Sequence, residues 1–283
     1  MNSGTMRTMS NIEGLKVAIH DLRVVIDKNA GKQCDVHIAD AHDIAIAMFV
    51  SALSLHGISL EPQRFEVGND PIELYPHGLA MLTCREIFEK YLLFARIYKA
   101  NGEYSKYNHL KWKICGYSHA NKLANISKEN IEAHNSNTQD RERFIEEIEQ
   151  TIEYKSKAKN ERKAFLTRLR DGKDNEKNVK NTLCECGYHR IYSIYQLLCD
   201  YAHSGALSIG NIACTTKQDD QYCSLNLPIN ISKMFIYMFV KQYCIFFDLS
   251  KKLTAEHPDV MERMTFFCDL AAHVEKLFKP AEK

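Results

Sequence analysis

Between Asn11 and Lys28 the apolar residues Leu15, Ile19, Leu22 and Ile26 recur at steps of four, three and four, which lays one apolar stripe along an amphipathic helix. That helical spacing returns along the chain, and it confines the chain to helical architectures. Turn residues tighten the constraint. Only 6 Pro and 12 Gly occur in 283 residues, too few for the many tight turns of sandwiches, barrels or Rossmann-type sheets. The expected fold class is all-α, a helical bundle forming a single domain over 1–283.

A second helix is expected from Asp35 to about Leu55, its alanine-rich middle suited to close packing. Residues 57–76 hold three of the six prolines and read as a long connection. The third helix, "HGLAMLTCREIFEKYLLFARIYKA", follows Pro76 and carries Arg85 and Glu89 one turn apart. A weaker helical pattern over 103–131 contains the only tryptophan, Trp112. From Asp140 to Arg170 the spacing predicts one long charged helix, acidic in its first half and basic in its second, as the helix dipole favours. Its apolar seam, Phe144, Ile145, Ile148 and Ile152, weakens through the lysines and resumes at Phe165 and Leu169. A charged excursion over 138–182, protruding from the body, is therefore expected. Later helices are expected over Tyr188–His203, Ile231–Leu253 and Pro258–Phe278, with a small β-hairpin over 212–226 around Asp219 and Asp220.

The formal net charge is +1, so any attraction to nucleic acid or membrane must come from a local patch. The 10 cysteines are scattered, several inside apolar helical runs, and no apolar leader precedes them; they read as reduced core thiols of a cytoplasmic protein. The most apolar run, "MFIYMFVKQYCIFFDL", is short for a bilayer and carries Lys241 in its middle. A buried central helix is expected there, and no membrane.

On the helix that ends at His203, Ser193, Gln196, Asp200 and His203 share one stripe at steps of three, four and three. Three readings of that stripe stand. It is a solvated face with the imidazole at the favourable end of the dipole, or a buried polar network in which Asp200 or His203 meets Arg85 or Glu89, or an active site. In the third case His203 is the general acid and base, Arg85 stabilises charge on a phosphate, and Asp200 or Glu89 orients that pair, a kit sufficient for metal-independent RNA cleavage.

The pairing of "TCREIFEKYLLFARIY" with "YHRIYSIYQLLCDYAHSG" resembles a bacterial family of all-helical proteins with an Arg-x-x-x-Glu helix and a later tyrosine-rich helix ending in histidine. Through it the chain is similar to the HEPN superfamily of helical bundles, which includes RNA-cutting toxins and antiviral defence proteins. The resemblance implies RNA as ligand, no cofactor, and a homodimer that forms one composite site. HEPN nucleases carry Arg-x(4–6)-His on one helix; the corresponding positions here are Leu198, Leu197 and Gln196, so Arg85 would have to supply the cation from another helix.

Metal sites read weakly. "CECGYH" offers Cys184, Cys186 and His189 without a paired Cys-x-x-Cys knuckle. His37, Asp40 and Asp43 are equally a polar helix face, and a di-metal carboxylate bundle would want two Glu-x-x-His motifs, which the chain lacks. The basic half of the charged helix, Lys155 to Arg170, is the candidate RNA contact. The competing reading is a non-enzymatic interaction module that recruits a protein partner, with Arg85, Glu89 and His203 as buried polar core.

Overall fold

The stripe that opens the chain becomes the buried face of α1 (Ser3–Asp27): Leu15, Leu22 and Val25 have no exposed surface. The computed structural model describes residues 3–30, 35–67, 70–99, 102–123, 130–173, 179–189, 191–203, 205 and 218–277. After α1 come α2 (Val36–Leu60), the strands β1 (Gln63–Val67) and β2 (Asp70–Leu74), and α3 (His77–Tyr98). Then follow α4 (Glu103–Leu123), α5 (Ile131–Gln150), α6 (Ile152–Lys155), α7 (Lys159–Arg170) and α8 (Val179–Glu185). The described chain closes with α9 (Tyr192–Ala202), α10 (Gln218–Ser224), α11 (Asn226–Phe246), α12 (Ser250–Glu256) and α13 (Pro258–Leu277). The fold is an all-α helical bundle, and it divides into two compact units: Met1–Phe94 with Leu183–Lys283, and Ala95–Thr182.

The centre of the first unit is α11. Ile229, Phe235, Ile236, Phe239, Val240 and Tyr243 have no exposed surface, because a helix apolar all round is stable only inside a core. Its rings interlock with α3, Phe88 on Phe235 at 4.2 Å and Phe94 on Phe239 at 4.7 Å. Polar side chains tie α11 to its other neighbours. Asp21 of α1, fully buried, accepts from the Tyr237 hydroxyl at 2.7 Å and from Arg263 of α13 through Nε at 2.7 Å and Nη2 at 2.8 Å. Lys233 donates to Asn11 at 3.1 Å, close beside Gly14, where a Cβ would stand 3.2 Å from its ammonium.

Among the described residues two helical segments, α2 and Asp220–Phe246, are long and apolar enough to cross a membrane by length and composition. The second is 72% buried inside the protein over its most apolar window, the mark of a core helix; α2 is 39% buried. One face of α2, including Ala41, Ala45, Met48, Ala52 and Leu55, packs inward. Its other face leaves Ile46, Val50, Leu53 and Leu60 exposed at steps of four, three and seven.

Two sequence expectations in this unit are corrected. The connection over 57–76 is structured: α2 continues past Gly57 to Leu60, and β1 pairs antiparallel with β2 from Gln63 opposite Leu74 to Val67 opposite Asp70. Burial of Leu55 and Ser59 carries the helix through Gly57, whose interior-helix cost is only about 1 kcal/mol. The hairpin expected over 212–226 is not formed by its described part, since Gln218–Ser224 is helical; 212–217 lie outside the described residues. Gln221 on that helix accepts the Tyr75 backbone N–H at 3.1 Å, a tertiary contact that overrides the local alternation.

The second unit corrects the long charged helix. In place of one helix over Asp140–Arg170, the chain turns at Thr151, whose backbone is extended, and again between Lys155 and Lys159. Thr151 Oγ1 accepts from the Tyr154 N–H at 3.3 Å and donates to the Ile148 carbonyl at 2.7 Å. Glu161 accepts the Ala158 N–H at 3.0 Å, while Arg162 donates to the carbonyls of Lys157, at 2.8 Å, and Lys155. Folding back sets Phe165, Leu166 and Leu169 against Phe144, Ile148, Tyr154 and, from α4, Tyr107, Leu110 and Ile114. Burial of three such side chains stabilises by about 1.5–3 kcal/mol each, more than the roughly 1 kcal/mol net per helical hydrogen bond lost at the break. The end of α7 is closed by Gly172 at φ +71, with Lys173 N–H on the Arg168 carbonyl at 2.8 Å. Only glycine fits there, because a Cβ would come within 2.7 Å of the His119 ring.

Candidate functional site

The tyrosine-rich helix α9 meets α3 through Tyr201 and Tyr195. His77 meets the Tyr201 ring at 5.2 Å, and both Phe88, at 5.5 Å, and the Arg85 guanidinium, at 5.8 Å, meet Tyr195. The two helices therefore run antiparallel, with the start of α3 beside the end of α9. This register decides which candidate residues meet. Arg85 donates through Nε to Glu89 at 2.8 Å on its own helix. Burial alone would weaken the charge, but the Glu89 hydrogen bond and ion pair outweigh it and raise the Arg85 pKa. Tyr195 is raised by burial first and then by its hydrogen bond with Cys199. The cluster that Arg85 joins is thus Glu89, Tyr195 and Cys199.

His203 stands at the other end. It caps α9, its N–H on the Cys199 carbonyl at 3.0 Å, and its side chain is exposed, as are Ser193 and Gln196 of the same stripe. Eight residues separate it from Tyr195, about 12 Å along the helix axis. Asp200 is half-buried and bends toward the helix end: Gly205 donates its N–H to the Asp200 carbonyl at 2.8 Å, and a Cβ on Gly205 would overlap the Asp200 carboxylate. The structure brings Arg85 and Glu89 together and sets His203 and Asp200 apart from them. Of the three readings of the stripe, the exposed Ser193, Gln196 and His203 fit the solvated face, while Arg85 and Glu89 form an Arg-Glu-Tyr cluster about two turns from the histidine.

Several polar residues here carried little sequence signal. His77 follows Pro76 at the start of α3; burial lowers its pKa, and its N–H donates to the Tyr75 carbonyl at 2.7 Å. Asp21 sits in "HDLR" like any surface acid, and only its distant partners Tyr237 and Arg263 reveal it as buried. In "CECGYH", His189 Nδ1 lies 3.0 Å from Cys184 Sγ. Glu86 pairs with Lys90 on its own helix, and among the described residues no group of three His, Cys, Asp or Glu is placed to hold a metal ion.

In the second unit the basic run Lys155–Arg170 divides into two populations. Arg162 is spent on the α6–α7 turn, and Arg170 pairs with Glu142 of α5 at 2.8 Å. Lys155, Lys159, Lys163 and Arg168 are exposed. The charge is separated between the units: residues 95–182 hold 19 Lys and Arg against 13 Asp and Glu, net +6, and the rest of the chain 18 against 23, net −5.

The same unit has an open groove of about 260 Å³ between α4 and α5, lined by Trp112, Lys113, Gly116, Tyr117, Ala120 and Asn137. Tyr117 stacks with Phe144 at 5.9 Å, and the Lys113 ammonium lies within 5.6–5.8 Å of the Trp112, Tyr117 and Phe144 rings. Gly116 supplies the groove's space; a Cβ there would meet nothing within 4 Å. Compared with known protein families, characterised proteins and solved structures, the chain matches none.

Proposed function

We propose that the chain is a HEPN-like, RNA-binding protein of the defence or toxin-related kind, and that it holds RNA through the second unit rather than cutting it with His203. The observation that carries the reading is the charge separation: a unit of net +6 whose Lys155, Lys159, Lys163 and Arg168 are exposed, in a chain of net charge +1. A polyanion is drawn to such a unit without any global field. Cleavage has less support, because Arg85 is engaged with Glu89 and Tyr195 about two turns from His203.

The test is binding of a fluorescein-labelled single-stranded RNA, with RNA integrity read on a gel from the same samples. Wild type and His203→Ala bind alike and leave the RNA intact, while Lys155→Gln/Lys159→Gln/Lys163→Gln/Arg168→Gln loses affinity. Fragments formed by wild type and not by His203→Ala would overturn the binding reading in favour of a nuclease.

A second reading, self-association, is favoured by the exposed stripe Ile46, Val50, Leu53 and Leu60 on α2. Its occupant is a second copy of the chain, since no charged residue interrupts α2 after Asp43 and a two-fold pair of such faces is self-complementary. Sedimentation then gives a dimer that Val50→Glu/Leu53→Glu converts to monomer; a monomeric wild type refutes it.

A further inference from the structure

We infer that the groove between α4 and α5 is a nucleobase site: it takes one unstacked base against Trp112 and Tyr117, with the adjoining phosphate at Lys113. This deepens the RNA-binding reading and rests on it for the source of the base.

Three features of the groove converge on that ligand. Its volume of about 260 Å³ lies just below the roughly 300 Å³ at which small-ligand pockets begin, room for one planar ring system with the rest of the ligand outside the groove. The walls are aromatic and the floor small, since Gly116 and Ala120 are one turn apart on α4 and leave open the slot that a ring needs to lie flat. A polar group stands at the edge, since the Asn137 side chain lines the groove.

Charge then selects the class of planar ligand. Lys113 lies over the rings of the groove, Arg143 lies 4.8 Å over Phe144, and the unit as a whole is cationic. A ring that brings its own negative charge fits such a wall; a neutral or cationic ring leaves the charge unused. Nucleotides supply a π-face, an edge with donors and acceptors, and an anionic phosphate together. Lysine and arginine around the rings also argue against a cationic occupant, which aromatic cages otherwise favour.

Trp112 is the only tryptophan, so its fluorescence reports on the groove directly. The experiment titrates the full chain with adenosine 5′-monophosphate, ribose 5-phosphate and a ten-nucleotide single-stranded RNA. It compares wild type with Gly116→Leu, which fills the slot on a helix that leucine favours, and with Lys113→Gln; circular dichroism checks that each variant is folded. Saturable quenching by the RNA, none by ribose 5-phosphate, and roughly tenfold weaker RNA binding by Gly116→Leu are expected, tenfold being the scale of one lost base stack. Quenching by the mononucleotide, with no binding of the labelled RNA by anisotropy, supports the site with a free nucleotide as its source, and removes the RNA-binding reading. RNA binding without quenching, and unchanged in Gly116→Leu, overturns the nucleobase site while the cationic surface still accounts for the affinity. No quenching and no RNA binding overturns both.

Discussion

Replacing Lys155, Lys159, Lys163 and Arg168 with glutamine removes four exposed cations without touching the arginines that hold the fold together. Arg162 and Arg170 are excluded because the first closes the turn before α7 and the second pairs with Glu142. Each phosphate neutralised on a single strand contributes about −0.7 to the slope of log K against log salt, so four contacts give a slope of about −2.8. Raising the salt fourfold, from about 50 to about 200 mM, then weakens binding roughly 50-fold through these four contacts. The substituted protein should have a slope shallower by about 2.8, keeping the Lys113 contact, and hold its melting temperature within about a degree, since these side chains lie on solvent. Fluorescence anisotropy of a labelled RNA across the salt range reads both numbers. A slope that the substitution leaves unchanged would refute the assignment of the RNA contact to this face.

The first unit supports further predictions. Arg263→Met leaves the fully buried Asp21 carboxylate with the Tyr237 hydroxyl as its remaining side-chain hydrogen bond among the described residues; Arg263 keeps part of its exposure, so the expected loss is about 2–3 kcal/mol rather than the 3–5 of a sealed pair. A urea titration reads it, and a loss below about 1 kcal/mol contradicts the clamp. Burial lowers the His77 pKa, so the unfolded chain binds the extra proton more readily: the contribution is complete above about pH 6.5 and is lost as pH falls through the lowered value. His77→Phe should flatten the decline of melting temperature between pH 7.5 and 5.5, and an unaltered decline would sink that assignment. Alkylation should also be ordered. Burial pushes the Cys84 and Cys244 thiols up to about 12 and Cys268 up to about 11, whereas Cys184 is half-exposed beside His189. Peptide mass spectrometry after brief iodoacetamide treatment should find Cys184 labelled well ahead of those three; equal labelling in the folded protein contradicts the order.

Local periodicity made most of the helices legible. The stripe of Leu15, Ile19, Leu22 and Ile26 and the all-apolar run around Phe239 each state their burial in residue types alone. The break at Thr151 was harder, because the charge pattern from Asp140 to Arg170 satisfies one helix, and the reason to fold back lies in Tyr107, Leu110 and Ile114 about 30 to 60 residues earlier. Gln221 shows the same limit, since its helix is anchored by the backbone of Tyr75. At the candidate site, the spacing of Ser193, Gln196, Asp200 and His203 gives one face, and three of the four lie on solvent. Which level of α3 that face meets depends on the antiparallel register of the two helices, fixed by His77 on Tyr201 and Phe88 on Tyr195, and no spacing within either segment encodes it. The groove was hidden for a related reason: Gly116 and Ala120 look like ordinary helix residues until α5 places Asn137 beside them.

The most direct test of the account is to irradiate the full chain with a single-stranded RNA and locate the crosslinked peptides by mass spectrometry. The account predicts crosslinks within residues 95–182, on the peptides that contain Trp112 and Tyr117 and on those of α7. Crosslinks confined to α9 and His203, with none in the second unit, would contradict it.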